Sequence, residues 1–194
     1  MNRSSVIEFI CKEKITAVIR LDDLSTFQLL AKTLIAGGVR SLEFTLTNCD
    51  ALHAVEQLRG ALPVFDAGDA IIGIGSIRSE EQTRQAIDAG AQLLVSPVLL
   101  PQMIALANQH DVVCAPGAYT PTEIETAWQT GADFVKVFPA NTLGPAYIKA
   151  VLAPMPDVRL MPTGGIDLGN VADYLRAGCA AVGIGRALDR KSVV

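Results

Sequence analysis

Residues 130–139 read TGADFVKVFP: a Thr-Gly pair suited to ending a helix, a short apolar run broken by one lysine, then proline. The same phrase recurs as AGGVRSLEFTL (36–46), DAGAQLLVSP (88–97) and AGCAAVGIG (177–185). Its glycines, Gly37, Gly90, Gly131 and Gly178, stand where a helix C-cap belongs, because glycine reaches the left-handed conformation without a Cβ penalty. They are 41 to 53 residues apart, about twice the length of one compact strand–helix unit. Other apolar runs (ITAVIR, AIIGIGS, VVCAPG and RLMPTG) lie between these phrases. Eight strands are therefore predicted, near 15–20, 41–46, 70–76, 93–97, 112–117, 134–139, 159–164 and 180–185. Helical periodicity fills the intervals, as in LSTFQLLAKTLIAGG and PTEIETAWQTG.

Strands that are apolar on both faces and alternate with helices predict a parallel sheet covered by helices. Eight units favour a closed (β/α)8 TIM barrel over an open doubly wound sheet. Residues 4–13 read as an extra helix before the first strand, and RALDRKSVV as a short last helix. No linker or low-complexity stretch interrupts the chain, so residues 1–194 are expected to form a single domain of α/β class.

Half of the 194 residues are hydrophobic and the formal net charge is −4, with a pI near 5.1. Without a basic cluster the chain is not expected to bind nucleic acid. No apolar run is long enough to span a bilayer and the N-terminus lacks a signal-peptide core, so no membrane association is expected. Cys11, Cys49, Cys114 and Cys179 are scattered and form no CxxC pair, which fits free thiols and a cytoplasmic setting. His53 and His110 have no companion ligands, so no metal is expected, and incomplete GxGxxG patterns give no support to a dinucleotide cofactor. Trp128 reads as core, and no GxSxG elbow is present.

A barrel of this type builds its chemistry at the C-terminal ends of its strands. The polar residues late in the predicted strands are Arg20, Glu43, Ser76, Lys136 and Thr163. With period-2 alternation, Val135 and Val137 point to the helices while Phe134, Lys136 and Phe138 face the interior. A buried amine is held neutral by desolvation, which increases the fraction able to attack a carbonyl. Lys136 is thus the candidate imine-forming nucleophile and Glu43 the candidate proton-transfer partner. A buried ion pair serving packing alone is the plainer reading of the two residues, though such pairs contribute little to stability. Two glycine turns, Thr163-Gly164-Gly165 and Gly183-Ile184-Gly185-Arg186, read either as tight turns or as an anion site.

The chain resembles the 2-keto-3-deoxy-6-phosphogluconate (KDPG) / 4-hydroxy-2-oxoglutarate (KHG) aldolase family. The resemblance runs from AVIR to GIG through EFTLTN, GIGS, LLVSP, CAPGAYTPTE, ADFVKVFPA, LGPAYIKAV and MPTGGI. It implies a TIM barrel, usually a homotrimer, cleaving a small 2-keto acid through an imine without metal or organic cofactor. By this resemblance Lys136 is the Schiff-base lysine and Glu43 the general acid/base. Thr47, Ser76, Pro97 and Thr163 would line the keto-acid site, and Gly164, Gly165 and Gly185 would hold a phosphate. Outside the family pattern, Arg20 is the candidate to supply a positive charge to the keto-acid site from the first strand, and Arg186 either joins the phosphate site or blocks the pocket. Thr47 stands where the family usually carries a carboxylate-binding arginine, Ser76 where it has threonine, and Arg186 where it has serine. Val98 and Tyr119 also depart from the pattern. These departures leave open an epimeric or unphosphorylated substrate, and a catalytically silent phosphosugar-binding barrel.

Overall fold

The computed structural model describes residues 1–185. Six parallel strands form one curled sheet: β1 (Ile15–Ile19), β2 (Ser41–Thr45), β3 (Ile71–Gly75), β4 (Leu93–Val95), β5 (Val113–Ala115) and β8 (Val182–Ile184), in the order β5-β4-β3-β2-β1-β8. A short parallel pair, β6 (Gly117–Ala118) with β7 (Lys136–Val137), lies between them in the sequence. Residues 159–164 were expected to form a full strand but make only isolated bridges, Val135 with Leu160 and Thr163 with Gly183. Backbone hydrogen bonds nevertheless link this segment on one side to Val135 and Val137, and on the other to Ala180 and Gly183. Proline explains both departures from the predicted strands. Pro162 brings no N–H to the ladder, and Pro116 divides the expected 112–117 strand into β5 and β6.

Helices run between most of the strands: α2 (Phe27–Ala36), α3 (Ala51–Ala61), α4 (Val64–Ala67), α5 (Glu80–Asp88), α6 (Pro101–Gln109), α7 (Pro121–Gln129), α8 (Gly144–Leu152) and α9 (Val171–Arg176). α7 starts where its sequence says it should. Thr120 and Glu123 form a reciprocal capping box, and Pro121 occupies the first turn, where its missing N–H costs nothing. At the helix ends Gly90, Gly131 and Gly178 are left-handed as expected, whereas after α2 it is Gly38 rather than Gly37 that takes a positive φ.

Two apolar layers follow from strand alternation. Leu42, Phe44, Ile72, Ile74, Leu94, Val135 and Val137 pack outward against the helices. Ile71, Leu93, Val95, Val113, Ala115, Phe134, Met161 and Ala181 fill the inside of the curl. A helix before the first strand, α1 (Arg3–Glu13), adds Val6 and Ile10 to that inner layer. It is tied down by Arg3, whose Nε donates to both Asp133 carboxylate oxygens at 2.9 and 3.1 Å. Asp133 also accepts from the Cys114 amide at 2.9 Å, so one carboxylate joins the helix to two strand segments. No helix among the described residues is long and apolar enough to cross a membrane.

Candidate active site

Because the strands are parallel, everything that follows them emerges at one edge. Arg20 lies just past β1, Thr47 past β2, Ser76 past β3 and Pro97 past β4. Thr163, Gly164 and Gly165 follow the bridging segment, and Gly185 follows β8. Arg186 and the expected C-terminal helix over RALDRKSVV lie outside the described residues.

Glu43 on β2 and Lys136 on β7 point into the interior from different strands and are almost completely buried. Lys136 Nζ stands 3.9 Å from Glu43 Oε1 and 5.3 Å from the centre of the Phe138 ring. Burial holds the Lys136 amine below the ordinary lysine pKa; the Glu43 carboxylate works against this, and the Arg20 guanidinium adds to it. Arg20 is solvent-exposed, yet its charge is felt at the amine. Below Glu43 on the same inward face, the Ser41 and Thr16 hydroxyls satisfy each other at 2.8 Å, so Glu43 is not needed to cap them.

Thr163 Oγ1 packs against Gly183, and its backbone N–H donates to Val137 O, fixing it one strand away from Lys136. Gly164 and Gly165 adopt φ of 98° and 72°, a conformation that side-chain-bearing residues rarely take. Gly164 O accepts from the Asn141 amide and Gly165 O from Asn170 Nδ2. In a trans peptide the carbonyl and the following N–H point oppositely, so the N–H groups of Gly165 and Ile166 are aimed away from those asparagines. This arrangement suits an anion.

Ser76 is half-buried and left-handed, with φ of 63°, an uncommon state for a residue with a Cβ. Thr47 is exposed, and its hydroxyl bonds Thr45 Oγ1 at 2.7 Å. Pro97 lines a cleft of about 490 Å³ with Val98, Gly117, Ala118, Tyr119, Phe138 and Thr142, among others. Lys136 does not line this cleft, whereas Phe138, whose ring centre lies 5.3 Å from the Lys136 amine, does. Sequence reasoning missed the bond from Tyr119 to Thr142, 3.1 Å between hydroxyl oxygens across the cleft mouth, and the packing of Asn141 under Gly165. It also missed the seat of Glu43 over Gly75; a glycine inside a strand was the available signal.

Such a pocket can carry out amine–carbonyl chemistry: a lysine whose neutral form burial favours, a carboxylate within reach to move a proton, and backbone donors for an anion. The buried thiols compete poorly as nucleophiles. Cys114 is pushed up to about 12 and Cys179 to about 11, in both cases chiefly by burial. Among the described residues no three His, Cys, Asp or Glu side chains converge.

Residues 6–194 match the family model described as KDPG and KHG aldolase. The chain is 36% identical over 172 residues to 2-dehydro-3-deoxy-phosphogluconate aldolase of Treponema pallidum, covering 88% of this chain and 80% of that one. It is 38% identical over 130 residues to 2-dehydro-3-deoxy-6-phosphogalactonate aldolase of Escherichia coli, covering 66% and 63%. Among solved structures, KDPG aldolase from Legionella pneumophila, with pyruvate captured as a covalent carbinolamine, superposes with a TM-score of 0.85 at 28% identity, covering 96% and 88%. The chain belongs to the KDPG and KHG aldolase family.

Proposed function

We propose that this protein is a class I aldolase that cleaves a 2-keto-3-deoxy-6-phosphosugar acid to pyruvate and glyceraldehyde 3-phosphate, or 4-hydroxy-2-oxoglutarate to pyruvate and glyoxylate. The observation that carries this reading is the desolvated Lys136 amine facing the Glu43 carboxylate at 3.9 Å. Lys136 adds to the 2-keto carbon, and loss of water gives a protonated imine. Glu43 takes the proton of the C4 hydroxyl as the C3–C4 bond breaks, and the bonding pair moves into the imine to give an enamine. The aldehyde leaves, Glu43 returns the proton to C3, and water releases pyruvate from Lys136.

In this reading Thr163 and Ser76 orient the keto acid, Pro97 bounds its pocket, and Arg20 supplies the positive charge that Thr47 cannot. Gly164, Gly165, Gly185 and Arg186 hold the distal phosphate. The eight strand segments close into a (β/α)8 barrel, with the bridging segment 159–163 as the seventh stave and α1 as the added N-terminal helix. The catalytic unit is the single domain 1–194, assembled as a homotrimer in the cytoplasm, without metal or organic cofactor. The departures from the family pattern at Thr47, Val98 and Tyr119, all three exposed, support a second substrate reading, an epimeric or unphosphorylated keto acid.

Borohydride reduction in the presence of pyruvate, followed by peptide mass spectrometry, tests the chemistry. A stable adduct on Lys136 is expected. Its absence rejects the aldolase in favour of a silent phosphosugar-binding barrel. Cleavage rates on epimeric and dephosphorylated substrates then separate the two substrate readings.

A further inference from the structure

Strand β3 reads IIGIG, and its inward positions are Ile71, Gly73 and Gly75. Above Ile71 the strand therefore offers no side chain to the interior. Glycine is a poor strand residue, and inside a strand it commonly marks a place where another group comes close. The two vacancies are filled differently. A Cβ at Gly73 would run into the backbone oxygen and Cβ of Leu93 on the neighbouring strand. A Cβ at Gly75 would meet no backbone among its three nearest atoms; it would overlap Oε1, Cδ and Cγ of Glu43.

Gly75 needs no unusual backbone, since it is absent from the positive-φ positions. It is paired in register with Thr45, two residues beyond Glu43 on β2. Glu43 therefore does not stand straight over its own partner, Gly73. Its side chain leans along the strands and rests over Gly75. That lean puts Oε1 3.9 Å from Lys136 Nζ and leaves it without a hydrogen-bond partner among the described residues. An unpaired buried carboxylate oxygen is costly and calls for an explanation, and a proton-transfer role beside the Lys136 amine supplies one.

We infer that Gly75 is a positioning residue: the missing side chain forms the seat that aims the Glu43 carboxylate at the reacting centre. This rests on the aldolase reading only for its kinetic consequence, because the seat itself is a packing relationship. Gly75→Ala fills the seat with one methyl group, and the flexible end of Glu43 must swing aside.

The test separates imine formation from proton transfer. With Gly75→Ala, the borohydride adduct of pyruvate on Lys136 is expected to persist. Exchange of the pyruvate methyl protons with solvent deuterium, which needs a correctly aimed carboxylate, is expected to fall about a hundredfold. Exchange within about threefold of the wild type, or loss of adduct and exchange together, overturns the inference.

A thermal-unfolding cycle with Glu43→Ala gives a readout that does not depend on activity. Where Glu43 is present, Gly75→Ala is expected to lower Tm by about 2–8 °C through overpacking. Where Glu43 is replaced by Ala, the same change should be neutral or raise Tm by about 1–3 °C, since alanine restricts the unfolded chain. Equal shifts in both backgrounds overturn the seat. If Gly75→Ala alone does not fold, a folded Glu43→Ala/Gly75→Ala protein supports it and an unfolded one rejects it. A wild type that forms no adduct rejects the aldolase reading and leaves the unfolding cycle to decide on Gly75.

Discussion

Lys136 Nζ and Glu43 Oε1 face each other at 3.9 Å, inside Coulombic range but beyond a direct hydrogen bond. The spacing affects the titration of the amine. Burial lowers the Lys136 pKa, Glu43 raises it, and Arg20 lowers it again. The neutral amine is the attacking form, so the rate of adduct formation should rise with pH through a midpoint below that of ordinary lysine. Glu43→Gln removes a charge that favours the ammonium, and the rising limb should move to lower pH. Arg20→Met removes a charge that disfavours it, and the limb should move to higher pH. Trapping rates measured across pH check both signs.

Arg20 has a second consequence. Its guanidinium is the cation whose charge reaches Lys136, while Thr47 presents only a hydroxyl already bonded to Thr45. If Arg20 pairs with the substrate carboxylate, Arg20→Met should raise KM for the keto acid about tenfold to a hundredfold, the scale of one charge-assisted hydrogen bond. Steady-state kinetics with pyruvate and with the full substrate provide the measurement.

Gly165 combines a φ of 72° with close contact to Asn141. Alanine there would strain the turn and displace its N–H donors. KM for a phosphorylated substrate should rise by about tenfold or more, while pyruvate trapping on Lys136 is unchanged. Comparing phosphorylated and unphosphorylated substrates isolates the effect.

Arg3 and Asp133 anchor α1 to the segment leading into the strand that carries Lys136. Arg3→Met leaves the nearly buried Asp133 carboxylate with the Cys114 amide as its remaining partner across the strands. A loss of about 1–3 kcal/mol is expected, with a Tm decrease of about 3–10 °C. Adduct formation by the folded fraction should be unaffected, and calorimetry with trapping on one sample tests both.

The inward direction of Phe134 and Lys136 and the outward direction of Val135 and Val137 were legible because strand side chains alternate with a period of two. That Arg20, Thr47, Ser76 and Pro97 follow their strands at one edge was legible because parallel strands share one C-terminal end. The breaks at Pro116 and Pro162 could have been anticipated from the missing donors. The seat at Gly75 could not be read locally, since its meaning depends on a side chain 32 positions earlier. The spent hydroxyl of Thr47 likewise depends on where Thr45 points. Pattern gives direction and side, whereas contact between strands requires the three-dimensional register.

Val6 and Ile10 of α1 pack beneath Phe134, at the end of the curled sheet opposite the reactive edge. Among the described residues that end of the interior is filled by apolar side chains. On the aldolase reading a keto acid therefore reaches Lys136 from the reactive edge and, once bonded to it, stays behind while the aldehyde leaves. The order of traffic follows from the covalent bond at the closed end: in cleavage the aldehyde departs first and pyruvate last, and in synthesis pyruvate enters first. Product inhibition should carry that signature, with pyruvate competing against the keto-acid substrate and the aldehyde not.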